Sequence, residues 1–144
     1  MDWSELRDLS RRGHVIGCHT HSHARFHEGV GEEVARKEIA DSADAIERGT
    51  GTRPRSFAWL GGESWTYGSG GMMALAGAGF RYAFSTKSGP IRTGSDPLCL
   101  HRTVLDADMD FDIFRLKLHG LSDLVHCHAR QRLEREFGAG KKGA

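Results

Sequence analysis

The sequence predicts an α/β fold, with parallel strands covered by helices. Three observations lead there. Short apolar runs alternate with amphipathic helical stripes along the chain. Each run is too apolar to leave one face wet, as a half-exposed antiparallel strand would. Glycine or proline marks many of the expected junctions, with 19 Gly in 144 residues. About four strands are visible, too few for a closed barrel, so the expected sheet is open or part of something larger.

Trp3, Leu6 and Leu9 recur every three residues and predict a helix through Arg12, stopped at Gly13. His14-Val15-Ile16-Gly17 reads as a short buried strand, followed by a polar, histidine-rich loop to Gly31. Val30, Val34, Ile39, Ala43 and Ile46 then form one helical stripe up to Glu47, with Gly49 and Gly51 as stop signals. After Pro54, residues 56–60 read as a strand, and Gly61 to Gly71 as an aromatic, glycine-rich loop suited to lining a pocket. A short helix over Met72 to Ala78, with Met72 and Met73 as packing residues, precedes a strand at 80–84. Lys87 to Pro97 is a loop, Leu98 to Leu105 a strand, and Asp110 to Leu124 a helix carrying Phe111, Phe114, Leu118 and Leu121. The chain from His126 closes in Gly-Ala-Gly-Lys-Lys-Gly-Ala and is expected to lose order beyond Phe137. There is no internal repeat.

Composition narrows the function classes. Twenty Lys plus Arg against 19 Asp plus Glu leave a net charge of +1, which gives no basis for a nucleic-acid partner or an anionic membrane surface. No apolar run approaches the roughly 18 residues of a membrane span, and the first residues carry no signal-peptide pattern. Three cysteines, Cys18, Cys99 and Cys127, form no CxxC, so a disulfide framework or a four-cysteine zinc site is not expected. The unpaired thiols favour a reducing compartment, but localisation stays open.

The chemistry concentrates in Gly17-Cys18-His19-Thr20-His21-Ser22-His23, directly after a predicted strand; five of the nine histidines lie between His14 and His27. His19 and His23 are four apart, a spacing that can turn both imidazoles toward one divalent cation. Thr20 follows the first histidine where a zinc protease has glutamate, so this is no HExxH motif. Its place at the carboxyl end of a strand, where α/β folds bind ligands, favours a site over a merely solvated loop. His21 reads as surface, and His27 is a possible substitute ligand. His126, Cys127 and His128 form a second, weaker metal-binding candidate or a solvated helix end.

The run "LRDLSRRGHVIGCHTHSHARF" resembles the second motif of the polysaccharide deacetylases, the NodB-homology domain of carbohydrate esterase family four. The resemblance continues in order. "RPRSFAWLGG" is similar to the third motif, a strand entering an active-site loop, and "GAGFRYAFSTKSGP" to the segment after it. "LHRTVLDADMDFDIFRLKLHGL" is similar to the closing Pro-Arg strand and its helix. It covers roughly residues 3 to 122. It implies part of a distorted (β/α) barrel, with residues 1–124 as a partial deacetylase domain and 125–144 as a partly disordered tail.

The resemblance also implies an activity: hydrolysis of N-acetyl groups from amino sugars in an N-acetylated glycan, with a divalent metal, zinc first, as cofactor. His19 and His23 match the metal ligands, and Thr20 the hydroxyl residue that can orient an imidazole. Gly61 matches the backbone N–H that steadies the oxyanion. Trp59 and Trp65 are candidates for the flat wall on which a sugar packs, Trp59 alternatively for the core. The family's first motif, Thr-Phe-Asp-Asp-Gly, supplies the general base and a third ligand and has no counterpart here. Asp2 and Asp8 belong to the first helix, and neither His101 nor Leu118-His119 matches the general-acid motif convincingly. The chain therefore reads as an N-terminally truncated deacetylase; the alternatives are a non-catalytic remnant and a metal- or carbohydrate-binding module.

Overall fold

In the computed structural model, residues 1–61 and 64–140 are described. Helix α1 spans Trp3–Arg11. Asp2 starts it, its carboxylate accepting from the Ser4 and Glu5 N–H at 2.7 and 3.0 Å, while Glu5 accepts from the Asp2 N–H at 2.6 Å. Asp8 faces Arg11 at 2.9 Å. Both aspartates thus serve the helix, as the sequence indicates. Helix α2, Glu32–Thr50, turns Ala35, Ile39 and Ala43 inward at four-residue steps and ends at Gly51. Its last turn is fastened to α1 by Arg7, which donates to the Gly49 carbonyl at 2.7 Å.

The sheet lies under α2. Strands β1, Ser56–Ala58, and β2, Tyr82–Phe84, pair in parallel with Phe57 opposite Ala83. Single parallel bridges extend the pair on both sides, Cys18 to Phe57 and Leu100 to Phe84. Four parallel segments therefore run in the order Cys18, β1, β2, Leu100. Helix α3, Ser69–Gly77, follows a 3-10 turn at Ser64–Thr66 and packs against α2. The core joins Phe26, Ile39, Phe57, Trp59, Tyr67 and Leu75.

The expected parallel segments are present, but the outer ones are shorter than expected. Of His14 to Gly17 none lies in a ladder, and Val15 is 80% exposed. The cause is positional: among the described residues this edge segment has a neighbour on one side only. Likewise Leu98 to Leu105 contributes one bridge at Leu100, with Val104 and Leu105 exposed. Among the described residues the sheet is open, and no barrel closure is seen.

The C-terminal third differs most. The helix expected over 110–124 is two helices, α4 at Phe111–Leu118 and α5 at Leu121–Val125. Gly120 breaks it with φ +78°, a left-handed angle that glycine adopts without steric cost. The apolar stripe of α4 faces outward, with Phe111 69% and Leu118 62% exposed. The stretch expected as a tail forms α6, Cys127–Gly140, which seats Leu133 and Phe137 in the core. The Phe137 ring meets Trp59 edge-on at 5.6 Å. Residues 141–144 lie outside the described residues. No described helix is long and apolar enough to cross a membrane.

Candidate active site

His19 follows Cys18, the bridge residue, so it leaves the sheet at its carboxyl end. Its Nδ1 lies 2.7 Å from the carbonyl oxygen of Ala58, the last residue of β1. A carbonyl only accepts, so Nδ1 carries a proton, and Nε2 is the nitrogen that the neutral ring offers to a metal. His23 stands beside it, ring centres 5.2 Å apart and planes at 69°. Two imidazoles on one tetrahedral ion, each bonding nitrogen about 2.0–2.1 Å from the metal, would have ring centres roughly 5 Å apart. The ring separation alone matches that spacing. Among the described residues no set of three His, Cys, Asp or Glu forms a metal-sized group.

The turn between the two histidines has an unusual backbone. Thr20 and His23 both adopt left-handed angles, φ +63° and +62°. For a β-branched residue this is strained, on the order of 1–3 kcal/mol, and such strain collects where a site needs a fixed shape. Glu38 of α2 braces the turn. Its Oε2 accepts from the His21 and Ser22 N–H at 2.9 and 2.8 Å, and its Oε1 from the Ser22 hydroxyl at 2.8 Å. Burial acts to raise its pKa, but the bonds from Ser22 and His21 outweigh it and hold the carboxyl below the usual glutamate range.

Thr20 makes no hydrogen bond to either imidazole among the described residues. Its hydroxyl is buried and makes no hydrogen bond, and the carbonyl of Ala58 holds His19 instead. Trp59 is core, not pocket wall: 1% exposed, it packs against the rings of Phe26, Phe57, Tyr67 and Phe137. The reason is geometric, since the position after β1 points into the space that α6 fills. Its carbonyl accepts from Arg102 at 3.0 Å.

Trp65 has the opposite character, half exposed, with the Arg25 guanidinium 5.7 Å from its ring centre and His27 at 6.5 Å. The Phe26–Tyr67 bridge and the Gly68 N–H, 2.6 Å from the Phe26 carbonyl, dock this loop onto the segment leaving the histidine turn. A Cβ at Gly68 would sit 2.6 Å from the His27 carbonyl oxygen, so no other residue allows that approach. His27 turns back on its own loop, its Nδ1 accepting from the Gly29 N–H at 3.0 Å, and does not join His19 and His23. Gly61 ends the run beyond β1 with φ +82°.

Two other groupings are structural. Cys127 and His128 touch at 3.4 Å at the start of α6, without forming a metal-sized group. His101 lies between Ser85, at 3.0 Å, and Glu134, at 2.9 Å, a serine–histidine–carboxylate run. Ser85 is fully buried, so the run fastens α6 to the sheet.

A profile of the polysaccharide deacetylase family matches residues 1–82, and the chain belongs to that family. Two solved structures share the fold. One is the BpsB deacetylase domain from Bordetella bronchiseptica, with a TM-score of 0.61 at 19% identity, covering 74% of this chain and 49% of that one. The other is a de-N-acetylase from Aggregatibacter actinomycetemcomitans, with a TM-score of 0.61 at 16% identity, covering 80% and 52%. The chain thus spans about half the length of each. No curated protein matches the sequence.

Proposed function

We propose that the chain carries the histidine half of a metal-dependent hydrolase that removes N-acetyl groups from amino sugars of a polysaccharide. The observation that carries this reading is the His19–His23 pair, held at the carboxyl end of the parallel segments with the Nε2 of His19 left for a metal. Family membership and the two deacetylase folds support it. A divalent cation, zinc first, supplies Lewis acidity toward the acetyl carbonyl and lowers the pKa of the attacking water. In this reading His19 and His23 hold it, and the Ala58 carbonyl keeps His19 in the competent tautomer. The Gly61 N–H faces the oxyanion that forms, and the exposed ring of Trp65 packs against a sugar. This reading assigns the proton acceptor and the anionic ligand to paired aspartates such as the family's first motif carries, which residues 1–144 do not contain.

A second reading, a metal- or carbohydrate-binding module without hydrolysis, is favoured by one observation: no third donor joins the pair among the described residues. Zinc titration and acetate release from chitooligosaccharides separate the two. Zinc-dependent acetate release that disappears in His19→Ala and His23→Ala supports the hydrolase. Zinc binding through both histidines with no acetate release, even when the chain is joined to a segment bearing paired aspartates, selects the binding module. Acetate release unchanged in His19→Ala would remove the ligand assignment.

A further inference from the structure

The turn that carries the two histidines is braced from outside by a single carboxylate. Between its two left-handed residues, Thr20 and His23, the successive N–H groups of His21 and Ser22 converge on one oxygen of Glu38, and the Ser22 hydroxyl takes the other. The brace comes from α2, 16 residues from Ser22 in sequence. Its neighbour Ile39 is sealed in the core, so the carboxylate stands on a rigid mount. Glu38 itself touches neither imidazole ring by a hydrogen bond.

We infer that Glu38 is the positioning residue that gives the His19–His23 turn its ligating shape, which rests on reading those histidines as metal ligands. Without the carboxylate, two N–H groups and a hydroxyl lose their acceptor, and nothing offsets the left-handed angles on either side. The consequence is asymmetric. His19 stays tethered to the Ala58 carbonyl, whereas the His23 ring, exposed and set edge-on against the His19 ring, loses its fixed place. A glutamine keeps an acceptor oxygen for the two N–H groups and restores much of the turn.

The test uses the full chain and zinc alone. Zinc affinity is measured by competition with a chromophoric chelator for the wild type, Glu38→Ala, Glu38→Gln, Glu33→Ala and His19→Ala. Amide exchange at His21 and Ser22 is followed by NMR without metal. Glu38→Ala is expected to lose about tenfold or more in zinc affinity. It also releases both amides to exchange, with a single cooperative thermal transition that shows the fold retained. Glu38→Gln recovers most of both effects, and Glu33→Ala, on the exposed side of the same helix, changes neither. Slow exchange at His21 and Ser22 in Glu38→Ala would overturn the inference. So would unchanged zinc affinity in Glu38→Ala alongside its loss in His19→Ala. Equal binding by wild type and His19→Ala would overturn the ligand reading itself and this role with it, while the exchange data would still report whether the brace exists.

Discussion

Two tryptophans six residues apart occupy opposite environments, and that contrast sets their separate contributions. Trp59 fills the space between the sheet and α6, so Trp59→Ala is expected to cost about 3–5 kcal/mol in chemical denaturation. Trp65→Ala leaves stability within about 0.5 kcal/mol but weakens binding of chitooligosaccharides, followed by calorimetry. Glu38 adds a pH dependence. Its folded pKa lies below the unfolded value, so its stabilising contribution is complete above the ordinary glutamate pKa of about 4.3 and is lost as pH falls through the folded value. Thermal midpoints should therefore differ between wild type and Glu38→Gln near pH 6 and converge toward pH 3. A constant difference across that range would show that the carboxylate charge plays no part. The histidine pair was legible in the sequence because its spacing is local. Glu38 was not, because the contact joins residues 16 and 17 apart through the tertiary fold.

At the scale of elements, helix α6 is the least expected and has the clearest energetic role. Its composition is polar enough to suggest a solvated tail, and its signal reduces to Leu133 and Phe137, one turn apart, which share a face. Their burial against Trp59 carries the packing, with Arg130 donating to the Ser88 carbonyl at 2.8 Å and Glu134 reaching His101. Leu133→Ala should cost about 2–5 kcal/mol and Phe137→Ala about 3–5 kcal/mol, read from urea midpoints. Midpoints near wild type in both would show that α6 does not belong to the folded core. That about four apolar segments would run parallel could be read from the sequence, since periodicity and glycine placement are local signals; their order across the sheet could not. The outer strands came out shorter because ladder length depends on neighbours, which no local pattern contains. The α4 stripe failed for the same reason: it marks an apolar face but not what covers it.

For the whole molecule, the nearly balanced charge and the open sheet set expectations for the chain by itself. With two imidazoles and no third donor among the described residues, zinc binding should be weaker than at a site with three protein ligands. Acetate release should be slow, since a missing general base alone removes about 100- to 10,000-fold in rate. Joining an upstream segment that bears paired aspartates should raise both, as seen by titration and acetate assay. No gain in either would count against the hydrolase reading.

No disulfide joins the three cysteines, and their placement gives the fold built-in reporters of its own fraying. Cys18 and Cys99 are buried at opposite sides of the four parallel segments, Cys18 on the first bridge and Cys99 beside the last, while Cys127 is only partly buried on α6. Burial also pushes the Cys18 thiol up, which suppresses the reactive thiolate. A thiol-directed reagent should therefore modify one position quickly in the native protein and three after denaturation. The two slow rates, assigned by mass spectrometry, time the opening of each margin of the sheet separately. Faster modification at Cys18 than at Cys99 would identify the histidine-bearing side as the margin that opens first.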